Sequence, residues 1–140
     1  SHISRQFQQR TTNKHYLARL EGIPAGDSGC VDLPMRCDWP NRPRQIIDFE
    51  LGKSALTHWQ IIARDEINNI ATVKLKPVTG RTHQLRLHMQ ALGTPILGDE
   101  FYASAKGVKA APHLQLHAAM LEITHPLTNA SITFTAPTPF

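Results

Sequence analysis

The stretch Pro77-Val78-Thr79-Gly80-Arg81-Thr82-His83-Gln84-Leu85-Arg86-Leu87-His88 joins a strand to a helix, and its reading decides the fold class. Upstream, Ile70-Ala71-Thr72-Val73-Lys74-Leu75-Lys76 alternates apolar and polar residues as a half-buried strand does. Thr79-Gly80 breaks that strand. A helix is expected from about Thr82 to Leu92, with Leu85, Met89 and Leu92 as its buried stripe and Gly93 as its C′ stop. Two arginines, two histidines and a glutamine crowd its first turns. So many polar groups are costly on an element that must also bury a Leu and Met side. They suit a site that reads an anionic, base-containing ligand, and Gly80 allows a tight entry that leaves helix N-terminal amides facing an anion. Arg81, Gln84 and His88 fall beside or opposite the Leu stripe, and Arg86 lies about 100° from Leu85, at the boundary of core and cleft. A partly buried arginine there requires an anionic partner. Spacing leaves open a structural partner, Asp99 or Glu122, and a functional one.

Working outward, Ser54 to Arg64 reads as the strand before Ile70–Lys76, the two forming an antiparallel hairpin around Asp65-Glu66-Ile67-Asn68-Asn69. Lys14 to Gly22 alternates as a further strand, preceded by a polar connector and by Arg5–Arg10, which reads as the end of a helix. Residues 23–29 are turn-rich, and residues 30–53 are irregular, with Pro34, Pro40 and Pro43 among basic residues. After the helix, a loop runs through Pro112. Two closing strands, Leu114 to Thr124 and Ser131 to Thr135, are joined by His125-Pro126-Leu127-Thr128-Asn129. The pattern is α+β, a mainly antiparallel sheet with one clear helix.

The 140 residues amount to one domain or a large piece of one, and the start at Ser1-His2-Ile3 reads as an interior start. With 41% hydrophobic and 19% charged residues the chain has the composition of a soluble globular protein, without an apolar run of membrane-spanning length. Its net charge of +4, with Arg outnumbering Lys, is compatible with nucleic-acid binding but does not establish it. Cys30 and Cys37 have a spacing unsuited to a zinc knuckle and read as free thiols. His83 and His88 are five apart and do not share a helix face; His113 and His117 share a strand face but have no evident third ligand, so no metal is expected. There is no G-x-S-x-G elbow and no phosphate-binding P-loop. Asp32, Asp38 and Asp99 occupy turn contexts that side-chain capping explains as well as chemistry does.

Several ordered blocks carry a resemblance. Thr79-Gly80-Arg81-Thr82-His83-Gln84-Leu85-Arg86-Leu87-His88, Leu92-Gly93-Thr94-Pro95-Ile96-Leu97-Gly98-Asp99 with Tyr102, and Leu116-His117-Ala118 with His125-Pro126 resemble the C-terminal half of the RluA-type pseudouridine synthases. The segment Asp32 to Pro43 further resembles the RluA subgroup, which modifies large-subunit ribosomal RNA and tRNA. The resemblance implies the pseudouridine-synthase fold, with residues 1–140 as the C-terminal part of one catalytic domain. It implies a cytoplasmic enzyme that isomerises uridine without metal or cofactor, on a base flipped out of its helix. Tyr16 matches the family tyrosine that packs on the uracil and helps remove the C5 proton, and Arg86 the basic residue that pairs with the nucleophilic aspartate. That aspartate lies in an H-R-L-D-x-x-T-S-G motif upstream of the tyrosine. The motif is absent here, and Asp27, Asp32, Asp38 and Asp48 lack its surroundings. The chain alone is therefore expected to be inactive, with the N-terminal part of its own domain as a further partner.

For RNA contact the candidates are Arg36, Trp39, Arg42, Arg44 and Lys53 in the proline-rich segment, where arginines grip phosphates and Trp39 either stacks on a base or pins the loop to the sheet. Arg81, His83 and Gln84 are expected to face RNA or shape the pocket. The alternative is a non-catalytic RNA-binding domain of the same fold. Arg86→Met is expected to abolish turnover in the whole protein and leave the fold intact.

Overall fold

The computed structural model describes residues 12–124 and 131–135, with side-chain surroundings for residues 14–119. Its strands are β1 (Thr12–Glu21), β2 (Ser28–Asp32), β3 (Met35–Cys37), β4 (Gln45–Ile47), β5 (Leu56–Asp65), β6 (Ile70–Pro77), β7 (Leu116–Thr124) and β8 (Ser131–Thr135); its helices are α1 (Gln84–Ala91) and α2 (Ala105–Lys109). Six strands form one sheet in the order β2-β5-β6-β1-β7-β8, with every neighbouring pair antiparallel. β3 and β4 form a separate two-stranded hairpin. The α+β class is as expected from the sequence, and the long strands lie within two residues of their expected limits.

Alternation explains which face is covered. Thr57, Trp59 and Ile61 on β5, Ala71, Val73 and Leu75 on β6, and Ala18 and Leu20 on β1 are buried on one face. Helix α1 lays Leu85 and Met89 onto that face, and Ile96 completes the core. Burying a leucine such as Leu20 or Leu75 contributes about 1.5–3 kcal/mol, so this face dominates the helix's placement. On its other side α1 presents Leu87 to a second cluster with Met35, Ala55 and Tyr102, beneath the β3–β4 hairpin. The helix is thus wedged between the sheet and the hairpin.

Both ends of α1 have a local cause. His83 precedes it in the left-handed region, at φ 57°, so the helix starts at Gln84, two residues later than expected. At the other end Gly93 (φ 93°) donates to the Gln90 carbonyl and Thr94 to the Met89 carbonyl, the paired bonds of a Schellman stop. Strand β2, the β3–β4 hairpin, a 3-10 turn at Trp39–Asn41 and helix α2 all lie in segments read from sequence as turn or loop. The Arg5–Arg10 stub and the His125–Asn129 link fall outside the described residues.

Candidate active site and nucleic-acid interface

The strand-to-helix junction at residues 77–86 closes one side of a cleft of about 390 Å³. Lys14 and Tyr16 on β1, Leu114 just ahead of β7 and Leu116 at its start line its other side. Register explains the meeting: Tyr16 sits opposite Leu75 on one neighbour and Ala118 on the other, so it occupies the centre of the sheet. Tyr16 and Arg86, far apart in sequence, thereby share one cavity.

Arg86 is held bidentately by Asp99, Nε to Oδ2 at 2.9 Å and Nη2 to Oδ1 at 2.7 Å. Asp99 is one of the two structural partners that spacing left open. Asp99 is fully buried, and its Oδ1 also accepts the amides of Phe101 (3.1 Å) and Tyr102 (3.2 Å), so its expected turn-capping role and the ion pair coexist. The guanidinium lies against the rings of Phe101 and Tyr102, at 5.4 and 5.5 Å. Its pKa is raised first by the hydrogen bond to Asp99. The bidentate grip uses Nε and one Nη2 hydrogen, leaving the Nη1 edge for a ligand or a second carboxylate.

No carboxylate lines this cleft among the described residues. Asp48 pairs with Arg36 and has a pKa lowered to about 2, first by that bond; Asp27 pairs with Arg64; Asp38 accepts from Asn41; Asp32 is exposed on β2.

Of the two roles expected for Gln84, it takes that of shaping the cleft. It is 3% exposed, its Oε1 accepts from the Thr79 hydroxyl and the Arg81 amide, and its Nε2 donates to the Leu56 carbonyl and Thr57 Oγ1. All four positions of the amide are used, so it has nothing left with which to read RNA. Thr57 passes the chain to His88 Nδ1 (2.8 Å), and His88 Nε2 meets the Leu33 carbonyl (2.9 Å). His88 is fully buried, with its pKa lowered by desolvation and both nitrogens occupied. This network replaces the ligand-reading role expected for that part of the run. His113 is also corrected: it lies ahead of β7 and is exposed, so it does not share a strand face with His117. No group of three or more His, Cys, Asp or Glu side chains gathers among the described residues. Cys30 and Cys37 are unbridged.

The remaining candidates divide by exposure. Trp39 is 63% exposed with Arg42 over its ring at 5.0 Å, so it does not pin its loop to the sheet. Arg44 reaches over Phe101, at 5.8 Å. Lys53 is an exposed side chain on backbone tied to Met35. Arg36 is committed to Asp48 and the Cys37 carbonyl, which leaves it less available than its neighbours. Arg81 lines the cleft with Nε on the Ser54 carbonyl. His83 lines it too, stacked on Phe101 and bonded through Nδ1 to the Tyr102 hydroxyl. Reasoning from sequence passed over Lys14, Leu114, Leu116 and Phe101, because only register and the turn after Gly98 bring them here.

Residues 1–91 match the family model for RNA pseudouridylate synthase. The chain is 53% identical, over 138 residues, to the dual-specificity RNA pseudouridine synthases RluA of Salmonella typhi and Escherichia coli K12, and 54% identical to that of Haemophilus influenzae. These alignments cover 99% of this chain, which spans 63% of the length of these curated relatives. Among solved structures, human RNA pseudouridylate synthase domain containing 1 superposes with a TM-score of 0.85 at 32% identity, over 99% of this chain and 59% of that one. Shared fold and matched sequence together place the chain in the RNA pseudouridylate synthase family.

Proposed function

We propose that the whole protein is an RNA pseudouridine synthase of RluA type, acting on uridines of large-subunit ribosomal RNA, tRNA or both, in the cytoplasm. Residues 1–140 are the C-terminal part of its catalytic domain. The single observation that carries the reading is the cleft lined by both Tyr16 and Arg86, whose guanidinium is clamped by Asp99 with one edge free. The reaction breaks the C1′–N1 bond of uridine and forms C1′–C5, while C5 loses a proton and N1 gains one. Tyr16, Leu114 and Leu116 offer the flat, half-apolar wall on which a flipped uracil packs. Tyr16 is the group placed to assist loss of the C5 proton. The free edge of Arg86 keeps the nucleophilic aspartate ionised and oriented. In this reading that aspartate comes from outside these 140 residues, and the carboxylate-free lining of the cleft among the described residues supports it.

The carboxylate-free cleft also favours a second reading, a domain that binds RNA without turning it over. Tritium release from RNA carrying 5-tritiated uridine separates the two. The whole-gene protein releases tritium if it is an enzyme, and Arg86→Lys lowers the rate by about 10²–10³-fold, the range for losing one preorganised donor group. A near-normal rate for Arg86→Lys would remove Arg86 from the chemistry. No release by the wild-type protein, with RNA still bound, would leave the binding domain.

A further inference from the structure

Tyr102 is buried, 5% exposed, and its hydroxyl has two partners: the Gln45 backbone amide at 2.9 Å and His83 Nδ1 at 2.8 Å. The Gln45 amide only donates, so it occupies a lone pair of the phenol. The phenol hydrogen then has one acceptor among the described residues, His83 Nδ1. A buried O–H does not go without an acceptor when one stands at bonding distance. His83 is therefore the tautomer with its proton on Nε2. That nitrogen lies on the far side of the ring from Tyr102, has no protein partner among the described residues, and belongs to a side chain that lines the cleft. Desolvation and the Arg86 charge lower the pKa of His83, and burial raises that of Tyr102, so both remain neutral near pH 7.

We propose that Tyr102 is a positioning residue: by donating to His83 Nδ1 it makes His83 a fixed N–H donor for an acceptor oxygen of the RNA in the cleft, and by accepting from Gln45 it ties the Arg42–Arg44 loop to the same wall. The proposal rests on the RNA-modifying reading of the cleft. Its geometry is favourable for selectivity. A neutral, pre-oriented N–H reads an oxygen without adding charge beside Arg81 and Arg86, and stacking on Phe101 holds the ring. His83 makes this contact from a left-handed backbone position just before α1.

The test uses the full-length protein and an RNA oligonucleotide containing the target uridine. In Tyr102→Phe the ring contacts to Arg86 and Phe101 remain and only the hydroxyl is lost. KM is expected to rise about tenfold, the scale of one hydrogen bond, with kcat changed less than about twofold, since the contact is made equally before and during reaction. In the His83→Ala background the same substitution is expected to raise KM clearly less than in the wild type, because the part of its effect that passes through His83 is already gone and only the Gln45 bond is left to lose. ¹⁵N shifts of the His83 ring in the RNA-free protein are expected to report an Nε2–H tautomer in the wild type and a mixture in Tyr102→Phe. This readout stands even if no pseudouridine is formed, so it fails independently of the functional reading. An Nδ1–H tautomer in the wild type, or an undiminished KM effect in the His83→Ala background, would overturn the proposal. With a neutral methylphosphonate beside the uridine, a shrunken Tyr102→Phe effect assigns the acceptor to phosphate and an unchanged one assigns it to a base carbonyl.

Discussion

Asp99 shows how one buried carboxylate constrains what substitutions reveal. Arg86→Met in this chain would strand Asp99 in the interior with only two amide donors. The variant should lose about 3 kcal/mol of stability, measured by urea unfolding, which tests the expectation that the fold stays intact. Arg86→Lys, which keeps the charge, is the informative substitution for activity. His88 supports a pH prediction. Its folded pKa is depressed below its unfolded value by burial, so the unfolded chain binds more protons as pH falls below about 6.5. Stability should decline from that point downward, with His83 contributing in the same direction. His88→Gln should flatten the decline between pH 6.5 and 5 in chemical unfolding series. A decline equally steep in the variant would place its origin elsewhere. At this scale the sequence was readable in residue type but not in allegiance. Arg86 and Tyr16 were recognisable from their motifs, whereas the saturation of Gln84 depends on Thr57 and Leu56, which only the fold brings near.

The elements divide by length. Strands β5 and β6 and helix α1 each carry a full period of apolar residues, and their limits were legible to within two residues. Strands β3 and β4 are three residues each, enclose Pro40 and Pro43, and owe their pairing to Met35, which packs on Leu87 from α1. No periodicity announces so short a pair. Their loop is the exposed basic surface on which Arg42 and Arg44 sit over Trp39 and Phe101. Arg42→Ala with Arg44→Ala should weaken RNA binding in filter or fluorescence titrations. It should also reduce the slope of log K against log salt by about 1.4 for a single-stranded site, the share of two phosphate contacts. An unchanged slope would take this loop off the RNA. Gly98 marks the turn that delivers Asp99. It has φ 77°, and a β-carbon there would collide with the His113 carbonyl. Gly98→Ala should cost more than about 1 kcal/mol in thermal or urea unfolding.

For the molecule as a whole, sheet order was the least legible property. Alternation identifies strands but not neighbours, and the order β2-β5-β6-β1-β7-β8 places the first strand among the described residues in the interior of the sheet. The family resemblance supplied the architecture that pattern alone could not. That placement has a consequence for how the protein is made. Strand β1 pairs through Tyr16 with Leu75 and with Ala118, both far downstream. A ribosome-bound chain that has emitted β1 therefore holds it without a neighbour until β6 emerges, while β5 and β6 close as a local hairpin. Long-range pairing is the slow part of assembling such topologies. In pulse-labelled hydrogen exchange during refolding, the β5–β6 amides should gain protection first and those linking β1 to β7 last. The tyrosine of the cleft would then be among the last residues to reach its place.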